Sequence, residues 1–316
     1  MTSSVSSLAF VFPGQGSQSV GMLADLAAAH DVVRATFDEA SKGAGVDLWS
    51  MSQEGPEASL NSTENTQPAL LAASVAVWRV WMATGGPRPA LLSGHSLGEY
   101  SALVCADALS LHDAAALVAA RGRLMQAAVP PGTGAMAAIL GGDDAQIAEV
   151  CAEVAQGQVV APANYNSPGQ LVIAGDVAAV DRALARLAEL GVKKAIKLAV
   201  SVPSHCALMR DASDELGERM RSIAWQLPSI PVVQNAEARI YDSVDDIRSA
   251  LQRQLYLPVR WTECVQALAA AGITRAAECG PGKVLSGLIK RIDKSVDARP
   301  IGSPSELDAV RSEWAA

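Results

Sequence analysis

The stretch Ala90-Leu91-Leu92-Ser93-Gly94-His95-Ser96-Leu97-Gly98-Glu99-Tyr100 constrains this chain more than any other. An apolar run meets a Gly-His-Ser-Leu-Gly turn, and a helical pattern from Glu99 to Ala108 follows at once. That order predicts strand, sharp turn and helix, with a serine at the apex. Glycine on either side lets neighbouring backbone pass close to a serine held in strained geometry, as a nucleophile elbow requires. In such a turn the hydroxyl stands exposed, and amide N–H groups at the helix start face any oxyanion formed on a substrate. The same letters also fit a capping box, with Ser96 closing the first turn and Glu99 reaching back. A cap gives no reason for glycine at both Gly94 and Gly98, so the nucleophile is preferred and capping is kept as a second role for the pair.

Around this turn, strand and helix patterns alternate. Leu8 to Phe12 reads as a buried strand running into Pro13-Gly14-Gln15-Gly16-Ser17. This is not a dinucleotide fingerprint, because Ser19 stands where the third glycine would be. It is a tight loop at a strand end, and such loops line the ligand crevice of open α/β sheets. Asp31 to Lys42 reads as a helix, Leu48 to Gln67 as a polar connection, and Thr66-Gln67-Pro68 as the opening of a helix to about Ala83. Leu111 to Ala128 is a further helix. Past Pro130 the order becomes β-α-β-β-α-β, ending near Val200, which is a ferredoxin-like unit. Strand and helix patterns then resume, and Gly280-Pro281-Gly282-Lys283 opens a late helix; with Val284 next, this pair is no P-loop. The expected fold is α/β: a hydrolase-like core with a central parallel sheet and helices on both faces, formed by residues 1–130 and 203–316, interrupted by a ferredoxin-like subdomain at 131–202.

Composition removes several function classes. A net charge of −8 over 316 residues opposes nucleic-acid binding. Five scattered cysteines without paired spacing suit reduced thiols rather than a disulfide framework or metal site. Met1 to Ser7 has no basic region like that of a secretory signal, and the apolar stretch Pro68 to Met82 is too short for a membrane span and interrupted by Arg79. A soluble cytoplasmic protein is expected, with no membrane or metal involved.

A nucleophilic serine needs a base. Of the four histidines, His205 follows a predicted strand and opens a predicted helix, whose N-terminus would keep the ring neutral. His95, next to Ser96, reads as a packing or orienting group. Cys206 is a rival nucleophile without an elbow, and reads better as a small buried hydrophobe. Arg121 falls inside the apolar stripe Leu117, Val118, Leu124, Met125 and Ala128. An inward arginine needs an anion, since an uncompensated buried charge costs about 3–5 kcal/mol. That anion could be a ligand or an acid of the fold, and the side chain could instead snorkel outward.

Taken in order, Phe12-Pro13-Gly14-Gln15-Gly16-Ser17-Gln18, Gly94-His95-Ser96-Leu97-Gly98-Glu99, Arg121-Gly122, Tyr165-Asn166-Ser167-Pro168-Gly169-Gln170, Val202-Pro203-Ser204-His205 and Gly280-Pro281-Gly282 resemble the malonyl-CoA:acyl carrier protein transacylase family of type II fatty acid synthesis. The resemblance spans essentially the whole chain, and the acyltransferase domains of polyketide synthases share most of these motifs. It implies malonyl transfer from malonyl-CoA to the phosphopantetheine thiol of acyl carrier protein, with Ser96 as nucleophile and His205 as base. It further implies an oxyanion hole from the backbone amides of Gln15 and Leu97, a backbone carbonyl at Gln254 orienting the histidine, and Arg121 holding the malonyl carboxylate. Asn166 would line the small-subdomain wall of the cleft. No cofactor is implied beyond the two substrates, and a monomer is expected.

Two other classes compete. A serine hydrolase of the α/β-hydrolase type would want serine, acid and histidine in chain order and an HGGG-like loop; here the span between Ser96 and His205 is occupied by the ferredoxin-like unit and no HGGG exists. A non-enzymatic scaffold would leave Ser96 inert to serine-reactive probes. An acidic carrier protein would need a local basic patch on this acidic chain: Lys193, Lys194 and Lys197, or Lys290, Arg291 and Lys294, unless these are plain solvated surface.

Overall fold

Strand β1 (Leu8–Phe12) is buried on both faces, which explains its unbroken apolar sequence. Leu8, Phe10 and Phe12 point into one core with Trp81, Leu92 and Val118, while Ala9 and Val11 join Val233, Trp261, Leu268 and Ile289 on the opposite side. A strand covered on both faces is the mark of a parallel α/β sheet. β1 pairs in parallel with β2 (Leu91–Gly94) and with β8 (Arg275–Glu278). β7 (Val232–Val233) flanks β2, and β9 (Asp297–Pro300) flanks β8, giving the order β7-β2-β1-β8-β9. The computed structural model describes residues 7–200 and 202–314, so the signal-sequence reading of the N-terminus falls almost wholly outside the described residues.

Helices Asp31–Ala44, Thr63–Ala83, Gly98–Cys105 and Leu111–Ala127 cover the first face. Helices Trp261–Ala270 and Val284–Ile292 cover the second. The Phe10 ring meets Trp78 and Trp81 edge-on, each at 5.3 Å, a favoured geometry for aromatic pairs.

A second sheet holds β3 (Gly134–Leu140), β4 (Val160–Ser167), β5 (Gln170–Asp176) and β6 (Lys194–Lys197), antiparallel and in the order β4-β5-β3-β6. Helices Asp144–Val154 and Val177–Glu189 close one face around Ile139, Val150, Ile173 and Leu187. Met136, Ala163, Val172 and Ala174 line the other face with Cys206 from the segment that follows the sheet. Tyr165 N–H donates to Val259 O at 2.9 Å, and Val259 N–H donates to Ala163 O at 2.8 Å, stitching β4 to the main body.

Two expectations need correction. The polar connection before Pro68 is largely helical, with short helices at Leu48–Glu54 and Glu57–Leu60. The long helix starts at Thr63, not at Thr66, because Ser62 O already accepts from the N–H groups of Asn65 and Thr66 at 2.8 Å each. β9 carries no readable signal, since it is the polar edge Asp-Ala-Arg-Pro; the helix Pro304–Trp314, also unread, opens on a capping box in which Ser303 N–H donates to Glu306 Oε2 at 3.1 Å and Glu306 N–H donates to Ser303 Oγ at 3.4 Å. Among the described residues no helix is long and apolar enough to cross a membrane.

Candidate active site

Because β1, β2 and β7 are parallel neighbours, their carboxyl ends deliver three loops to one place. β2 runs into the elbow. A Cβ on Gly94 would lie 1.9 Å from the carbonyl carbon of Gly98, and one on Gly98 would lie 2.0 Å from Phe12 O. Both glycines are therefore demanded by backbone contact. Ser96 adopts φ of 52°, in the left-handed region that costs a residue with a Cβ roughly 1–2 kcal/mol. The turn is held by its surroundings: His95 N–H donates to Phe12 O at 3.0 Å, and Ser96 N–H donates to Asn235 Oδ1 at 2.7 Å. Asn235 Nδ2 in turn donates to Gly94 O at 2.7 Å.

The Ser96 hydroxyl lies 2.8 Å from His205 Nε2, and His205 Nδ1 lies 2.7 Å from Gln254 O. A backbone carbonyl can only accept, so Nδ1 carries the proton and Nε2 is left to accept from the serine hydroxyl. Burial, and secondly the nearby Arg121 charge, push the ring down to about 3, so it is neutral at physiological pH. The helix expected to begin at His205 begins later, at Arg210 after a short turn at Ala207–Met209. Helix polarity is thus not what neutralises the ring; His205 itself sits at φ of 62°. Cys206 is buried with its Sγ on Pro203 O at 3.2 Å, and burial raises its thiol to about 11.

Arg121 does point inward and is 1% exposed. Its Nη1 donates to Gln67 Oε1 at 2.8 Å, and its Nη2 donates to Gln254 Oε1 at 3.1 Å and to Ser96 Oγ at 3.3 Å. Every one of these partners is neutral, and Nε–H is buried with no partner among the described residues. The face of Tyr100 lies 5.5 Å from the guanidinium carbon. Gly122 makes the arrangement possible, since a Cβ there would meet Glu64 Cα at 2.5 Å. With hydrogen at that position the helices Thr63–Ala83 and Leu111–Ala127 close up and bring Gln67 to Arg121.

These groups open on a cleft of about 190 Å³ whose walls include Gln15, Ser96, Leu97, Arg121, Asn164 and His205. Neither Gln15 N–H nor Leu97 N–H is engaged by another group of the described residues. Asn166 is not a wall residue. Its Oδ1 lies 2.8 Å from Nε2 of His95, itself a wall residue, and Asn164 lines the cleft in its place. Irregular pairing of β4 with β5 around Pro162, Asn164 and Tyr165 upsets simple alternation there. The capping box is absent too: only the backbone bond from Glu99 N–H to Ser96 O (3.1 Å) links the pair, while both side chains turn elsewhere. No group of three or more His, Cys, Asp or Glu among the described residues is arranged to hold a metal ion.

The model of the acyl transferase domain family matches residues 9–300. The chain belongs to this family. It is 56% identical over 302 residues to the malonyl CoA-acyl carrier protein transacylase of Escherichia coli strain K12, covering 96% of this acyl transferase and 98% of the relative. The crystal structure of a malonyl-CoA:acyl carrier protein transacylase from Xanthomonas oryzae pv. oryzae superposes with a TM-score of 0.97 at 67% identity, covering 98% and 99% of the two chains. A malonyl-transacylase solved in complex with a type II polyketide synthase acyl-carrier protein superposes with a TM-score of 0.96 at 54% identity, covering 98% and 100%.

Four residues of this acyl transferase site escaped sequence reasoning. Gln67, Gln234 and Asn235 are buried side chains that hold Arg121, Glu99 and Ser96 in turn. Glu99, assigned to a cap, is a fully buried acid beneath the elbow. One usable signal existed for Gln234 and Asn235: polar residues closing a buried parallel strand stand where such sheets build their sites.

Proposed function

We propose that this acyl transferase moves the malonyl group from malonyl-CoA to the phosphopantetheine thiol of acyl carrier protein, by way of a seryl acyl-enzyme, supplying malonyl-carrier for fatty acid synthesis. The observation that carries the reading is Arg121: a buried cation with only neutral partners and an unspent Nε–H, 3.3 Å from the Ser96 hydroxyl. A carboxylated acyl group on Ser96 supplies the anion that none of the direct partners provides, and the planar guanidinium suits a two-pronged grip that lysine cannot copy.

In the first half, Ser96 Oγ attacks the thioester carbonyl carbon while His205 Nε2 takes the hydroxyl proton. The carbonyl oxygen becomes an oxyanion facing the N–H groups of Gln15 and Leu97, a contribution of about 3–4 kcal/mol per donor in comparable enzymes. The C–S bond then breaks, the proton passes from His205 to the departing coenzyme A sulfur, and malonyl-Ser96 remains. In the second half the carrier's thiol gives its proton to His205 and attacks the ester, and Ser96 recovers its proton. No cofactor enters either half.

We read the main body, residues 1–130 and 203–316, as a hydrolase-like core, and 131–202 as a ferredoxin-like subdomain inserted between nucleophile and base. The reaction is assigned to the cytoplasm. Of the two basic clusters, Lys197 is already paired with Asp181 at 2.6 Å; exposed Lys290, Arg291 and Lys294 are therefore our assignment for the acidic carrier's docking patch.

The test is Arg121→Ala. Removing one side of a buried charge interaction costs about 2–5 kcal/mol, so kcat/KM for malonyl-CoA falls steeply while acetyl-CoA gains relative to it. Arg121→Lys does not restore the preference. A malonyl preference that survives Arg121→Ala refutes the reading, and release of free malonate without a carrier would mark a hydrolase.

A further inference from the structure

Beneath the elbow lies a charged group that the chemistry above does not use. Glu99 is wholly buried. Its Oε1 accepts from Gln234 Nε2 at 2.7 Å, and its Oε2 accepts from Asn235 N–H at 2.7 Å and from Gln254 Nε2 at 3.1 Å. All three neighbours are donors, so the carboxylate is satisfied without a proton. Burial raises this acid above the usual carboxylate range, and the three donors and the Arg121 charge offset only part of that rise.

Gln254 connects this acid to Arg121. Its amide oxygen accepts from Arg121 Nη2 at 3.1 Å while its amide nitrogen donates to Glu99 and, at 2.9 Å, to Ser96 O. A guanidinium can only donate and a carboxylate can only accept, so the amide between them has one workable orientation. The two charges stand one amide group and two hydrogen bonds apart, at most about 8 Å, with Glu99 wholly buried and Arg121 1% exposed, at the cleft wall.

We propose that Glu99 is the resident counter-charge of Arg121, and that it competes through Gln254 with the carboxylate of the incoming acyl group. In the empty enzyme Glu99 offsets the buried guanidinium. When the acyl carboxylate arrives, two anions share one cation. Glu99 therefore weakens the hold on the acyl group, which favours its onward transfer. This inference rests on the reading of Arg121 as the carboxylate anchor.

The experiment compares unmodified protein with Glu99→Gln, using free malonate as probe and thermal stability as readout. Glu99→Gln is less stable without ligand, and malonate half-saturates its stabilisation at a concentration lower by on the order of tenfold, as expected for removing a charge at that distance in a partly polarisable interior. The KM for malonyl-CoA falls in the same direction, while that for acetyl-CoA does not follow. A purely structural Glu99 would lower stability and leave the malonate affinity unchanged, and that result overturns the proposal. Should Glu99→Gln fail to fold, the double variant Arg121→Met with Glu99→Gln decides: removal of both charges recovers stability lost by either alone, whereas simple addition of the two losses overturns the pairing. If Arg121→Ala retains full malonate affinity, the anchor reading itself fails, a result separable from any obtained with Glu99.

Discussion

Gly98→Ala isolates what the elbow contributes, because the space it needs can be worked out from neighbouring backbone. The added methyl would sit 2.0 Å from Phe12 O, 2.7 Å from Phe12 C and 3.0 Å from Pro13 O. Comfortable contact requires β1 and the elbow to part by about 1.4 Å. Phe12 O is also the acceptor for His95 N–H, so the bond at 3.0 Å that ties the two loops together is strained or lost. Overpacking of this kind costs about 1–3 kcal/mol, and the hydrogen bond about 1 kcal/mol more. Catalysis should suffer further, because Gln15 follows β1 and Leu97 belongs to the elbow: the two amides we assign to the oxyanion move apart, and a 1 Å misplacement is worth roughly 100-fold in rate. The assay pairs urea unfolding with kcat/KM for malonyl transfer. Gly287→Ala is the control, since it lies on an exposed helical face with nothing within 4 Å of the added methyl; it should raise stability by up to about 1 kcal/mol. A Gly98→Ala enzyme whose kcat/KM stays within about threefold of the parent would refute the reasoning, because a 1 Å displacement could not then have occurred.

Two further outcomes follow from buried groups. His205 is held neutral to about 3 in the folded protein, whereas an unfolded histidine titrates near 6.5, so between these values the unfolded chain binds the extra proton and stability rises with pH. At pH 5 the loss from this residue is about 2 kcal/mol, and His205→Gln should remove that part of the slope in urea titrations at pH 5 and 7.5; His95, also pushed down by burial, leaves its own share, and an unchanged slope would sink the assignment. Glu278 closes the start of helix Val284–Ile292, accepting from Leu285 N–H at 2.9 Å and from Ser286 N–H and Oγ at 2.7 Å each. Glu278→Gln sets an NH₂ group against one of these donors, so the urea midpoint should report a loss of about 1–3 kcal/mol; an unchanged midpoint contradicts it.

What could be read in advance was local. The strand, turn and helix around Ser96 lie within one short segment, and helical spacing puts Arg121 in the apolar stripe, leaving open only whether its side chain turns in or snorkels out. The partners of those residues come from elsewhere, and the letters hold little trace of them. The strand before Asn235 is legible, but its neighbour in the sheet is not, and Asn235 reaches Ser96 only because β7 lies beside β2. Gln67 meets Arg121 because two helices cross closely at Gly122. Asn164 lines the cleft where Asn166 was expected, next to two shifts in the pairing of β4 with β5, which no alternation rule anticipates. Glu99 was misjudged for a physical reason: a glutamate three residues after a serine at a helix start is far more often a solvent-facing cap than a buried charge.

The orienting partner of His205 is the main-chain oxygen of Gln254, at 2.7 Å. Every residue type carries that oxygen, so no replacement of one amino acid by another can delete it. A survey of substitutions at Gln254 would report on its amide side chain, which bonds Arg121, Glu99 and Ser96 O, and not on this oxygen. What such a survey can disturb is the path of the chain. This part of the machinery is vulnerable where the helix Val244–Gln254 ends and the backbone turns toward Pro258, and a shortened or lengthened turn there would disarm the enzyme while leaving every reactive side chain in the sequence.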